Sequence, residues 1–416
     1  MRVALSSYRS KPHSGGQGVY VRNLSRELVA LGHDVHVFSG PPYPDLDPGV
    51  ALTRLPSLDL YRHPDRFHHP RPSEFRTDLD VLEYLTMCTS GFPEPRIFGA
   101  RLSRLLRDRI GEFDILHDNQ TLAPGILDLE RRGLPLLTTI HHPISRDRRL
   151  ELAAARGLQR VTKRRWYGFV QMQARVARRS AHLLTVSRNS AADIERDFKV
   201  PSARLAVVPV GVDVATFVPP AQARVPGRIV TIASADVPLK GLDVLTRALA
   251  GMDPAAWGEL VVVGRASDRT SKALAQAGLL HRVHFRHDLS DAELAGLVAS
   301  AEVHAIPSLY EGFSLPAVEA MACGTPIVAS SVGALPELVG TDAGVLVEPG
   351  DAAALGRALT DVLAAPGRRN RMGAAGRERA VSTYSWRAVA EATVEVYEQV
   401  LAARGATRLR AKENAA

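Results

Sequence analysis

Short apolar runs alternate with stretches of helical spacing along nearly the whole chain, and this alternation restricts the fold more than any other feature. The runs come in two sets. Val3 to Ser6, Asp34 to Ser39, Asp114 to Asp118, Leu136 to Ile140, Leu183 to Val186 and Ala206 to Val210 form the first. Arg228 to Ala233, Leu260 to Gly264, Val283 to Arg286, Val303 to Pro307, Ile327 to Ala329 and Val345 to Val347 form the second. Helical patterns lie between them, including 122–132, 151–179 and 190–198. Strands alternating with helices build a mostly parallel sheet, so the fold class is α/β. At 416 residues the chain exceeds one ordinary core, and two domains of about 200 residues each follow. The expected division is 1–212, 213–383, a closing amphipathic helix over 384–404 that returns to the first domain, and a basic tail over 405–416. The Pro-rich stretch from Gly211 to Gly227 reads as the linker.

Bulk properties exclude several classes. No apolar run reaches the roughly 18 uncharged residues of a membrane span, and Met1 to Ser7 reads as a first strand rather than a leader. A soluble, cytoplasmic protein is expected. Cys88 and Cys323 fall in different expected domains and have neither a disulfide framework nor metal-ligand spacing. Of the 52 Lys and Arg and 44 Asp and Glu, residues 1–220 hold 32 and 23, so the excess charge belongs to the first half. Its densest part, 146–179, includes Arg148, Arg149, Arg160, Lys163, Arg164 and Arg165, with Trp166, Tyr167 and Phe169 alongside. Basic and aromatic residues together fit an anionic surface, such as the inner membrane face or a phosphorylated acceptor. A solvated helix is the plain alternative. Nucleic acid is not expected as a partner, because no recognised binding module is present.

Chemistry concentrates in Tyr310 to Ala329, which reads as loop, short helix and strand. In an open α/β sheet, loops at the carboxyl ends of strands hold ligands. A helix beginning near Leu315 or Pro316 would leave the amides of Gly312, Phe313, Ser314 and Leu315 free for an anion. Glu311 would then lie in the loop and Glu319 in the first helical turn, about 10 Å apart. Lys240, one of six lysines against 46 arginines, stands where a strand loop meets a helix and suits a phosphate.

The first half offers fewer candidates. Gly15 and Gly16 follow the first strand and open a helix carrying Val19, Leu24, Leu28 and Leu31, a geometry that lets a backbone approach a phosphate. A plain tight turn fits equally well. His141 stands just past a strand end, with His142 an equal candidate by composition. Residues 41–100 read as a Pro-rich, irregular loop for acceptor recognition. Its Asp45/Asp47 and Asp78/Asp80 pairs, and His63, His68 and His69, lack the spacing of metal ligands, so no metal site is expected.

Taken in order, these pieces resemble the family 4 retaining glycosyltransferases of GT-B fold. The matching residues are Gly15 and Gly16 with Leu31 to His36, Thr139 to His141, Thr185 to Ser187, Val208 to Asp213 with Phe217 and Pro219, Lys240 and Gly241, and Glu311 to Glu319 with Gly324 to Val328. The resemblance covers nearly all of the chain outside the 41–100 loop. It implies two Rossmann-like, doubly wound domains facing a central cleft that binds a nucleotide-diphosphate sugar. It implies that Glu319 holds the ribose hydroxyls, that Glu311 contacts the donor sugar, and that the amides of Gly312, Phe313, Ser314 and Leu315 line sugar and phosphates. Lys240 would neutralise the leaving pyrophosphate, Gly15 and Gly16 would approach the phosphates, and His141, rather than His142, would meet the sugar. Arg286 would stand near the base. A hexose would pass to a hydroxyl acceptor, a small molecule or a lipid-linked or phosphorylated one, with retained configuration and with neither bound metal nor cofactor beyond the nucleotide sugar. Ser234 departs from the pattern, since the family usually carries arginine there; either Arg265 or another arginine of a neighbouring loop substitutes, or the activity is weak or altered. Val210 stands where the family often has asparagine. The competing functions are an epimerase-type enzyme on the same fold and a catalytically degenerate sugar-nucleotide binder.

Overall fold

The computed structural model describes residues 1–11, 16–62, 65, 67–233 and 237–413, leaving aside the side chains of 269 and 406–413. Gly15, His63 and Ser234 therefore lie outside the described residues. The chain forms two compact units, Met1–Val208 together with the segment from Val389 onward, and Pro209–Ala388.

The first unit is built on seven parallel strands: β1 (Arg2–Ser7), β2 (Asp34–Ser39), β3 (Ala51–Arg54), β4 (Ile115–Asn119), β5 (Leu136–Ile140), β6 (Leu183–Thr185) and β7 (Leu205–Val207). Their order is β3-β2-β1-β4-β5-β6-β7, so the winding reverses between β1 and β4. Both strands at that point are shielded on their two faces: all of β4 and all of β1 after Arg2 are buried. Leu116, Leu136 and Ile140 pack against Phe98, Leu102 and Ile126 of the flanking helices. The second unit has six parallel strands, β8 (Arg228–Ile232), β9 (Glu259–Val263), β10 (Val283–Arg286), β11 (Val303–Ile306), β12 (Ile327–Ser330) and β13 (Gly344–Val347). They run β10-β9-β8-β11-β12-β13, the same doubly wound order, with the reversal between β8 and β11.

Several expectations need correction. The 41–100 segment is not irregular: it holds β3, the helix Asp78–Cys88 and most of the helix Glu94–Leu106. Its acidic pairs serve local structure, Asp80 closing a capping box with Thr77 and pairing with Arg101, while Asp78 holds Arg104. His68 is taken up by Asp65 and Glu74. The expected helix over 151–179 is three helices, Ser145–Ala154, Gly157–Trp166 and Gly168–Ala177. The stretch read as a linker packs on the second unit, where Val212 and Phe217 are buried and Arg224 donates to the carbonyls of Ala299, Ala301, Cys323 and Gly324. No helix among the described residues is long and apolar enough to cross a membrane.

The closing helix, Trp386–Glu413, joins the first unit through a buried polar network. His117 Nδ1 meets the Tyr397 hydroxyl at 2.6 Å, and Nε2 meets Thr139 Oγ1 at 2.6 Å. All three side chains are shut off from solvent, where an unpaired polar atom is expensive. Tyr397→Phe would leave one imidazole nitrogen unsatisfied, so the variant is expected to lose about 1–3 kcal/mol of stability. Thermal unfolding checks this, and an unchanged Tm would show that the network does not hold the helix.

Candidate active site

Each unit places its candidates at the carboxyl ends of its strands. In the second unit the two charged groups flank the reversal point, Lys240 following β8 and Glu311 following β11. Lys240 Nζ lies 2.7 Å from Glu311 Oε1. The Ser308 hydroxyl donates to the same oxygen at 2.8 Å. The lysine is about one-third exposed, whereas the Glu311 side chain is 6% exposed, so the cation reaches solvent and the carboxylate is held behind it.

Two glycines make this convergence sterically allowed. A Cβ on Gly241 would fall 1.9 Å from the Pro307 carbonyl oxygen, and one on Gly333 would fall 1.7 Å from the Glu311 carbonyl oxygen. Both glycines have positive φ, +69° and +56°, a conformation that side chains disfavour. Backbone bonds tie the three loops, Leu309 N to Leu239 O at 2.8 Å and Ala334 N to Glu311 O at 3.2 Å.

The helix that follows is Leu315–Ala322, with Pro316 in its first turn. Among the described residues the amides of Phe313, Ser314 and Leu315 donate to no protein group, while Ala317 and Val318 both donate to the Ser314 carbonyl. Ser314 occupies the capping position, yet its buried hydroxyl makes no cap bond and has no partner among the described residues. An N-terminus of this kind offers donors and a partial positive charge to an anion. Phe313 is braced edge-on against Tyr384, ring centroids 6.4 Å apart.

Glu319 falls in the second turn of this helix, not the first. Burial pushes its carboxyl up to about 7, with the Asp291 carboxylate adding to the effect. Arg286 ends the edge strand β10, two strands away from the reversal, and is exposed. Arg265 pairs with Asp288 at 2.8 Å. The structure therefore groups Lys240, Glu311 and the helix amides, and leaves Arg286 and Arg265 apart from them.

In the first unit, Gly16 opens the helix Gly16–Ala30 after β1, and among the described residues no atom lies within 4 Å of where its Cβ would be. His141 follows β5. Its Nε2 meets Asn119 Oδ1 at 2.7 Å, its backbone N–H donates to Gln120 Oε1 at 2.8 Å, and Tyr20 stands edge-on at 4.8 Å. Burial drives the imidazole pKa down to about 3, so the ring is neutral. His142 is exposed and contributes its backbone carbonyl to Gln120 Nε2. Gln120 adopts a left-handed conformation, φ +58°, and its carbonyl accepts from Gln173 Nε2 at 3.1 Å.

Sequence reasoning missed Ser308, Gly333, Asn119, Gln120 and Gln173. Gly333 carried a signal, a glycine just past an apolar run. The others act through partners distant in the chain. Among the described residues no three His, Cys, Asp or Glu side chains form a metal-binding group.

Comparison with known proteins bears on the family and the fold. Residues 14–216 match the family described as Glycosyltransferase Family 4, and residues 219–379 match Glycosyl transferases group 1. The chain is 56% identical to an MMP alpha-(1->4)-mannosyltransferase of Mycolicibacterium hassiacum, over 97% of this chain and 99% of that one. It is 32% identical to a D-inositol 3-phosphate glycosyltransferase of Xylanimonas cellulosilytica, over 97% and 98%. Among solved structures, a sucrose-phosphate synthase from Thermosynechococcus elongatus superposes with TM-score 0.70 at 25% identity, over 97% of this chain and 99% of that one. Anabaena HepE in complex with UDP, 17% identical, shares the fold with TM-score 0.69, over 96% and 100%.

The Glu319 carboxyl gives a pH prediction. Its folded-state pKa of about 7 lies above the ordinary 4.5. The stability contributed by the protonated form is therefore complete below 4.5 and lost as pH rises through about 7. Glu319→Gln should match the wild type in acid, then gain on it up to about pH 7 and hold that gain above. Thermal unfolding across pH tests this, and a difference that does not vary with pH would contradict it.

Proposed function

The chain belongs to glycosyltransferase family 4 and is a hexosyltransferase, and from that premise we propose that it transfers mannose from a nucleoside-diphosphate mannose to the 4-hydroxyl of an acceptor sugar. The observation that carries the reading is the Lys240–Glu311 pair at the reversal point, beside three amides that have no partner among the described residues. The sugar and linkage follow the mannosyltransferase relative.

In this reading the pyrophosphate draws Lys240 away from Glu311 and settles on the amides of Phe313, Ser314 and Leu315. Glu311, its Oε1 still held by Ser308, accepts there from a sugar hydroxyl in place of the lysine. Glu319 takes the ribose hydroxyls in its ionised form, Arg286 serves the base, and Gly15 and Gly16 approach the phosphates. The bond from the anomeric carbon to the diphosphate oxygen breaks, with its electron pair going to the phosphate. The acceptor oxygen bonds to the same face of that carbon, which retains the configuration, and the acceptor proton passes to the departing phosphate. Lys240 and the helix amides meet the developing negative charge where water is scarce. They supply the role a divalent metal would play, so the reaction should proceed in chelator and without a further cofactor.

We also propose a contact with an anionic membrane surface. The helices Ser145–Ala154 and Gly157–Trp166 bury only Ser145, leaving Leu158 78% and Val161 63% exposed beside Arg160, Arg164 and Arg165. Apolar side chains ringed by cations suit an anionic bilayer. Sedimentation with phosphatidylserine vesicles should exceed that with neutral ones and fall as salt rises; equal recovery from both would remove the proposal.

The enzymatic reading is tested by thermal shift against UDP, GDP, ADP and their mannosides, with and without chelator. A ligand at 100 times its Kd adds about 2.7 kcal/mol of stability. One base should give a chelator-insensitive shift that weakens in Lys240→Ala, and the same variant should lose roughly 10²- to 10³-fold in turnover. Arg164→Ala should lose far less. Equal losses in the two variants would overturn the role given to Lys240.

A further inference from the structure

The first unit contains a chain of hydrogen bonds whose direction is set from one end. A backbone carbonyl only accepts, so the Ser7 hydroxyl donates to Arg9 O, at 3.1 Å. The Ser7 oxygen is thereby left to accept from Asn119 Nδ2, at 3.4 Å. That contact orients the amide and presents Oδ1 to His141 Nε2 at 2.7 Å. An amide oxygen has no proton to give, so the hydrogen in this last bond sits on Nε2. Ser7 and Asn119 are both fully buried, which keeps water out of the competition.

The ring is neutral for the reason already given, and a neutral imidazole carries one hydrogen. With that hydrogen on Nε2, Nδ1 is a bare lone pair. Among the described residues none hydrogen-bonds to His141 Nδ1; the other bonds around this residue engage its backbone N–H and Nε2. The turn that carries Asn119 is itself held firm, because Gln120 accepts from the His141 N–H and from Gln173.

We propose that Asn119, anchored through Ser7, is a positioning residue that fixes His141 as the Nε2–H tautomer, so that Nδ1 accepts a hydrogen bond from one hydroxyl of the donor sugar. The inference deepens the reading that His141 meets the sugar and depends on it. Its consequence is a discrimination. A lone pair on Nδ1 rewards a hydroxyl, which donates, over fluorine or hydrogen at the same sugar position, neither of which does. A histidine free to choose its tautomer would tolerate fluorine by offering it an N–H.

Two measurements test the proposal. The first needs no substrate. Proton–nitrogen correlation spectra of the full-length protein labelled with ¹⁵N-histidine, with the His141 signal assigned by its loss in His141→Gln, should show a proton bonded to Nε2 and none on Nδ1. A proton on Nδ1, or rapid exchange between tautomers, would overturn the inference even in a fully active enzyme. Asn119→Asp, which keeps an acceptor oxygen, should preserve the Nε2–H signature, and Asn119→Leu should lose it. The second compares the natural donor with its singly fluorinated analogues. At one position, fluorine should lower kcat/KM by about ten- to a hundredfold in the wild type, the loss expected when a buried acceptor is left unpaired. That ratio should shrink in Asn119→Leu and recover in Asn119→Asp. If the tautomer is as stated but no position shows the effect while transfer proceeds normally, the contact between His141 and the sugar is wrong. If no transfer occurs at all, the fault lies in the assigned activity.

Discussion

The chemistry of the second unit depends on how closely three backbone segments approach one another at the reversal of strand order. The loop after β8, the loop after β11 and the turn at Gly333 pack with main-chain atoms in direct contact. At two of the crossings no side chain larger than hydrogen fits, because a Cβ on Gly241 or Gly333 would fall within 2 Å of a carbonyl oxygen. That closeness delivers Lys240 to Glu311, and just beyond it the amides of Phe313, Ser314 and Leu315 donate to no protein group among the described residues. The sheet topology supplies the location, since the crevice at a reversal point lies outside the carboxyl ends of the strands. The glycines supply the precision. In the proposed reading a diphosphate would outcompete a single carboxylate for the lysine, and Glu311 would keep its bond from Ser308 when the lysine leaves.

The first unit uses neutral hydrogen bonds for the same end. Its reversal point brings β4 beside β1, so that Asn119 on one strand reaches Ser7 on the other, and the adjacent β5 carries His141 into the arrangement. The imidazole is neutral in its dehydrated setting. In the proposed reading, the second unit offers a cation, a carboxylate and helix amides to a charged ligand, and the first offers oriented neutral groups suited to hydroxyls.

Much of this was legible in the sequence, for identifiable reasons. Apolar runs buried on both faces, such as Leu136–Ile140 and Ile327–Ser330, have no polar positions to obscure them, and helix starts marked by Pro316 announce themselves. Lys240 and Glu311 stood out because strand ends are the expected place for ligand groups. The edge strand Ala51–Arg54 was hidden, since none of its four residues is buried and its composition resembles a loop. The three helices within 145–177 were read as one over 151–179 because the sequence carries helical spacing straight across the breaks at Ala155 and Tyr167. Asn119, Gln120 and Ser308 could not be found in this way: each acts on a partner that only the folded sheet brings near, and a lone asparagine or glutamine has no pattern. The position of Glu319 illustrates a finer limit. Its existence as a helical acid was readable, but its dehydration depends on what the helix packs against.

The account stands on the exchange of Lys240 from Glu311 to a diphosphate. A crystal structure of the full chain with a nucleoside-diphosphate mannose bound tests this most directly. The account predicts pyrophosphate oxygens on the amides of Phe313, Ser314 and Leu315, with Lys240 Nζ turned from Glu311 onto the phosphate and a sugar hydroxyl in its former place. An intact Lys240–Glu311 pair, with the nucleotide seated elsewhere, would contradict it.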